Sequence, residues 1–183
     1  MSIFQRIRLF YLCYFSNPRS QRVVYRAIRR YRAKKIVELG IGSAARALRM
    51  IDAANSCSPD KATHYVGIDP FEGRSPSDGP GLPLKTAHQL LAGKAARVQL
   101  LPGDPAKSLS RAANSLGKID LLIVPEELES ADAARAWFFV PRMLHAHSVV
   151  FVEQKLGDGQ TSLRLKHRDE IDRAAAASAR RAA

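Results

Sequence analysis

From residue 35 to residue 153, five short apolar runs rich in Val, Ile and Leu alternate with longer segments of helical periodicity. The runs occupy 35–39, 65–69, 98–101, 119–124 and 149–153. Each is nearly continuous in apolar side chains, the pattern of a strand buried on both faces of a parallel sheet. Between them the spacing predicts helices over 44–54, 84–91, 106–115 and 128–143. Parallel neighbours need crossovers long enough to hold a helix, and these connections have that length. The order therefore predicts an α/β fold with a doubly wound, mostly parallel sheet. A Gly-rich turn at 157–159, a short alternating run at 162–166 and a last helix from about Arg168 follow. The Ala- and Arg-rich stretch 174–183 reads as that helix's fraying end.

The chain has 183 residues, 46% of them apolar, which suits one core of ordinary size. Its longest N-terminal apolar run, 9–15, falls short of the roughly 20 residues a membrane span needs. The net charge of +12 is unevenly spread: residues 1–35 hold eight Arg, two Lys and no acid. Seven of the 13 aromatic side chains lie in the same segment. The chain is therefore expected to divide into a basic, aromatic helical arm, 1–35, and an α/β domain, 36–183. Within the arm, 21–34 reads as a helix with Val24, Ile28 and Tyr31 on one face. Arg6 and Arg8 before the apolar run give a faint signal-peptide look, but no small-x-small cleavage site follows. Cys13 and Cys57 form neither a CxxC pair nor a disulfide framework, so free thiols and a cytoplasmic location are expected.

The sharpest motif is Val37-Glu38-Leu39-Gly40-Ile41-Gly42-Ser43-Ala44-Ala45, a strand running into a glycine turn and then a helix. Glycines at 40 and 42 let the backbone turn tightly and approach a ligand closely. The helix that follows presents unpaired N–H groups. Asp69 ends the second run, and Asp104 follows the third in Leu101-Pro102-Gly103-Asp104. One acid at a strand end is ordinary turn or cap chemistry. Three acids, at the ends of strands one, two and three, converge on one sheet edge. The segment 70–83, with four Pro, three Gly and two Ser, starts at that edge and reads as a mobile, exposed loop suited to a lid.

These residues resemble class I S-adenosylmethionine-dependent methyltransferases over roughly 21–154. VELGIGSA is similar to their first motif, VGID to the second-strand motif and PGDPAKSL to the third, while IDLLIV and HSVVFVEQ resemble strands four and five. The resemblance implies a Rossmann-like methyltransferase sheet and S-adenosylmethionine as cofactor. Glu38, Gly40 and Gly42 are then expected around its methionine part, Asp69 on the ribose and Asp104 on the adenine. Ala44 stands where many members have a third glycine. Pro125 stands where metal-dependent relatives place a cation-binding Asp, so no metal is expected. The region after strand five is shorter than the family's two-strand extension. A dinucleotide-binding unit is the rival, since Gly40-x-Gly42-x-x-Ala45 fits its glycine spacing. However, Asp69 lies 29 residues beyond Gly40, further than the usual ~20, and that fingerprint needs neither Glu38 nor Asp104.

The expected activity is methyl transfer to an unidentified small-molecule or nucleic-acid acceptor. No catalytic residue is assigned: Glu126 and Glu127 follow strand four on the correct edge, where a solvated helix start explains them equally well. His64, His145 and His147 belong to the opposite edge, and His88 to a helix. The alternative is a catalytically degenerate module of the same fold that acts through its basic arm on RNA or a membrane surface. In that arm Ile3, Ile7, Phe10 or Tyr11, and Tyr14 recur at helical spacing beside Arg6 and Arg8, so the stripe either packs on the domain or meets an anionic partner.

Overall fold

A computed structural model describes residues 3–75, 81–130, 134–157 and 160–180. Six strands form one sheet: β1 (Lys35–Leu39), β2 (Thr63–Asp69), β3 (Ala96–Pro102), β4 (Ile119–Val124), β5 (Leu144–Lys155) and β6 (Thr161–Lys166). Their spatial order is β3-β2-β1-β4-β5-β6. The first five run parallel and β6 pairs antiparallel with β5. The chain thus starts in the middle of the sheet, winds outward to β3, and returns through β4 to the far side. That reversal opens a crevice at the C-terminal ends of the central strands, where open α/β sheets hold their ligands.

Side chains alternate between two cores because successive strand residues point to opposite faces. Ile36, Tyr65, Leu121 and Phe151 pack with α1 (Ile3–Tyr14), α2 (Arg22–Tyr31), α3 (Ala45–Cys57) and α4 (Leu84–Ala92). Val37, Val66, Leu122 and Val150 pack with α5 (Pro105–Leu116), α6 (Val140–Met143) and α7 (Arg168–Arg180). Each fully buried Val, Leu or Ile of this kind stabilises by about 1.5–3 kcal/mol. Helix α2 buries Val24, Tyr25, Ala27 and Ile28, while Tyr31, expected on its inner face, is exposed. The helix stops there because Arg32 turns left-handed at φ 50°.

Two further expectations need correction. The predicted helix over 128–143 is instead a 3₁₀ turn at Glu126–Glu129, another at Ala134–Phe138, and the short α6, with 131–133 outside the described residues. Pro141 lies inside the predicted span and has no N–H to donate, so it can only begin a helix. Trp137 is buried and donates its indole N–H to the Leu128 carbonyl at 2.9 Å, folding the segment back on itself. The second correction concerns β3, which is not buried on both faces: it is the sheet edge and alternates between half-buried and exposed. Of the Gly-rich turn at 157–159, residues 158 and 159 lie outside the described residues, as do 181–183.

The opposite, N-terminal edge is pinned by Asp120. Its Oδ2 accepts the backbone N–H groups of Lys34 and Lys35, each at 2.7 Å, and its Oδ1 lies 2.9 Å from His145 Nε2. Burial alone pushes this carboxyl up, but the two N–H groups and His145 outweigh it and hold it below its ordinary value. Because the folded pKa is depressed, the stabilisation is fully present above about pH 4 and fades as the pH falls through and below that value. Asp120→Ala is therefore expected to cost about 1–3 kcal/mol in urea unfolding at pH 7, and clearly less at pH 3. A penalty that does not change between the two pH values contradicts this account.

Candidate functional site

The glycine turn after β1 is held from the neighbouring strand. Gly40 donates its N–H to the Ile68 carbonyl at 2.8 Å. Ile41 and Gly42 donate theirs to Asp69 Oδ2 at 2.7 and 3.2 Å. Gly40 and Gly42 have φ of 79° and 57°, and Ala44, at the start of α3, has φ 59°. A glycine adopts that conformation freely, whereas an L-residue such as Ala44 bears about 1–2 kcal/mol of strain there. Asp69, only 1% exposed, is the hub. Its Oδ1 also accepts Phe71 N–H at 2.8 Å and Arg74 Nε at 3.0 Å, and Arg74 reaches Oδ2 at 2.5 Å.

Room for this turn depends on Gly67, in the middle of β2. A Cβ there would sit 2.2 Å from Ile41 Cδ1 and 3.2 Å from Leu100 Cδ2. The missing side chain lets Ile41 lie flat on the sheet, which seats the loop. At Gly40 the opposite holds: a Cβ would meet nothing within 4 Å. The loop's outer side therefore leaves open space against bare backbone, the room that a candidate ligand cradle requires.

Glu38 points inward and is fully buried. Its carboxylate accepts Arg46 Nε at 2.6 Å and the Tyr65 hydroxyl, and Arg46 also pairs with Glu153 from β5. Burial pushes the Glu38 carboxyl up against the opposing pull of Arg46 and Tyr65, and it pushes the Tyr65 hydroxyl well above its usual range. Arg46 stays charged because the two carboxylates outweigh its own burial. This chain of contacts leads from beneath the glycine turn into a cleft of about 520 Å³. The cleft is lined by Arg46, Glu153, Gln160, Thr161 and the loop 17–21 between α1 and α2. Glu153 is near the C-terminal end of β5 and Thr161 opens the antiparallel β6, so the cleft shares its sheet edge with the turn.

Asp104 is exposed at the end of β3 and caps α5, accepting Lys107 N–H at 2.9 Å, with Pro105 in the first turn. The preceding Gly103 N–H bonds the Asp69 carbonyl at 3.0 Å, which ties the ends of β2 and β3 together. Glu38, Gly40, Gly42, Asp69 and Asp104 thus all gather along one edge. The residues that sequence reasoning missed are Tyr65, Gly67, Arg74, Arg46 and Glu153. Arg46 and Glu153 carried a faint signal, one in the first turn after the glycine loop and the other at the end of strand five.

The other candidates are paired elsewhere or lie away from this edge. Glu126 Oε2 accepts Lys155 N–H at 3.1 Å, and Glu127 pairs with Lys155 Nζ at 2.5 Å. His64 and His145 lie at the N-terminal edge, and His88 is exposed on α4. The proline-rich loop is tethered at both ends: Phe71 is buried, Arg74 lies on Asp69, and Glu72 accepts Leu84 N–H at 2.9 Å. Its middle, 76–80, lies outside the described residues. No three His, Cys, Asp or Glu side chains group as a metal site among the described residues. Cys13 and Cys57 are both free, and burial pushes both thiols up.

No protein-family model matches the chain, and no curated protein matches it in sequence. Solved structures do match in fold. A Staphylococcus aureus protein assigned as a caffeoyl-CoA O-methyltransferase superposes over 100% of this chain and 82% of its own, at 12% identity and a TM-score of 0.55. An S-adenosylhomocysteine-bound methyltransferase from Podospora anserina matches over 98% and 77%, at 16% identity and a TM-score of 0.51. A protein assigned as a methyltransferase in Escherichia coli matches over 80% and 74%, at 13% identity and a TM-score of 0.52. The chain therefore has the Rossmann-like fold of class I S-adenosylmethionine-dependent methyltransferases.

Seating of the turn on Gly67 is open to a direct check. Gly67→Ala is expected to lower stability by about 1–3 kcal/mol through overpacking against Ile41. Gly67→Ala combined with Ile41→Ala should recover part of that loss in a double-mutant cycle. Strictly additive penalties would mean that the two groups do not compete for space.

Proposed function

We propose that this chain binds S-adenosylmethionine along the C-terminal edge of β1, β2 and β3 and directs its methyl group to an acceptor held in the cleft beside β5 and β6. The observation that carries this reading is the open cradle over Gly40, in a turn whose N–H groups are already fixed by Asp69. Gly40 and Gly42 would border the methionine part, with Glu38 setting their position from beneath through Arg46 and Tyr65. Asp69 would take the ribose hydroxyls and Asp104 the adenine amine. The bound cofactor supplies a methyl group on an activated sulfonium, so proximity and orientation are the main service required of the protein. Arg46 and Glu153 give the cleft a polar, charge-paired floor on which the acceptor is aligned. The two free thiols fit a reducing, cytoplasmic setting.

Arg74 now occupies the polar face of Asp69 that a ribose diol would need, and binding must displace it. The test is calorimetric titration with S-adenosylmethionine and S-adenosylhomocysteine. Gly40→Ala should fold with a loss of only about 1–2 kcal/mol, yet bind at least roughly tenfold more weakly, because the new methyl fills the cradle. Asp69→Ala should abolish binding. Arg74→Ala should tighten it severalfold by removing the competitor. Unchanged affinity in Gly40→Ala would place the ligand elsewhere. A well-folded wild type that binds neither compound would end the methyltransferase reading. Cofactor binding without turnover over a broad acceptor panel is the outcome that favours the degenerate binding module.

A further inference from the structure

Helix α1 buries Leu9, Leu12 and Cys13 in the core beside α3, and those three side chains lie on one side of it. The opposite side is just as apolar, and its side chains are left exposed by the described residues, with only Tyr14 meeting a cation from α2. At about 100° per residue, Phe10, Ile3, Tyr14, Ile7, Tyr11 and Phe4 fill a continuous arc of about 120° facing away from the core. All six are exposed, Phe4 at 80%, Ile3 at 68% and Ile7 at 60%. Arg6 borders the arc on one side and Arg8, held at its head by Asp52, on the other. Patches of this kind, apolar and contiguous with a charged rim, mark interaction sites.

From this arrangement we infer that α1 docks the protein on an anionic lipid surface, lying in the headgroup layer with its outer arc among the acyl chains. The charge supports this occupant. No acid occurs anywhere in 1–35, and Arg29 from α2 stacks 5.7 Å from the Tyr14 ring, adding a cation at the C-terminal end of the helix. Two copies of such a surface would bring cationic rims together and repel each other. A single-stranded nucleic acid would want separate ring faces on which to stack bases. Here Ile3 and Ile7 offer none, and Phe10 is bunched against Tyr14 and Phe15 at 5.0 and 5.8 Å. The contact is with the surface of the membrane only, for no helix among the described residues is long and apolar enough to cross one. The loop 17–21 that walls the cleft follows directly on this arc. The docked protein thus holds its cleft beside the headgroups. That consequence rests on the acceptor reading above, while docking itself does not.

The full chain would be sedimented with phosphatidylcholine vesicles and with mixed phosphatidylcholine–phosphatidylglycerol vesicles at two salt concentrations. It is expected to bind the anionic vesicles, to bind less as salt rises, and to bind neutral ones weakly. The variant Phe4→Ser, Ile7→Ser, Phe10→Ser changes only exposed side chains, so its thermal midpoint should stay close to wild type while vesicle binding falls by at least about tenfold. A separate Phe4→Trp variant should show a blue shift on anionic vesicles, which reports insertion without any change in folding. Three results would overturn the proposal. One is no binding to anionic vesicles, and another is binding that the triple variant leaves intact. The third is self-association or single-stranded RNA binding, lost in the triple variant, from a chain that ignores vesicles.

Discussion

A single carboxylate holds the candidate site edge of this protein together. Asp69 closes β2 and fixes two successive backbone N–H groups of the turn that closes β1. Without it, a turn with two glycines at positive φ would have many conformations of similar energy. With it, the N–H groups of Ile41 and Gly42 are both satisfied from the neighbouring strand, and the loop has one shape. Gly67 completes the arrangement by having no side chain, so that Ile41 can rest on the strand that carries Asp69. The acid and the glycine are two residues apart on one strand and serve the same loop.

Beneath the turn, a second set of contacts extends that order toward the cleft. Glu38, Tyr65, Arg46 and Glu153 come from β1, β2, α3 and β5. A fully buried carboxylate is tolerated only when paired, and removing one partner of such a pair typically costs about 3–5 kcal/mol. What the network provides is fixed geometry: it sets the first turn of α3 and the end of β5 in fixed relation. The candidate cofactor cradle and the candidate acceptor cleft are therefore mechanically one unit.

The parallel sheet was legible because its strands are buried on both faces and read as unbroken apolar runs. The edge strand β3 was found for the same reason but misjudged in burial, since periodicity does not reveal which strand has only one neighbour. The helix over 128–143 was overread by giving apolar spacing more weight than Pro141, whose missing N–H should have divided it. Five residues of the candidate site edge were also visible, because glycines and acids at strand ends leave a local signature. Tyr65, Gly67 and Arg74 were not, because nothing in their own neighbourhoods distinguishes them from ordinary strand and loop residues, and Arg46 and Glu153 had only their places after the glycine loop and at the end of strand five.

What the chain determines by itself is local and periodic: the strand–helix alternation, the glycine turn, the acids that end three strands, and an acid-free basic segment rich in aromatics. Backbone sterics and side-chain periodicity act over a few residues, so a linear reading captures them. Only the tertiary structure decided that Asp69 faces the turn 27 residues before it, and that Glu38 looks inward to Tyr65 and Arg46. It also decided which apolar side of α1 is covered. Both sides are equally apolar in sequence, and Leu9, Leu12 and Cys13 went inward because α3 meets them, leaving Ile3, Phe4 and Ile7 to the outside.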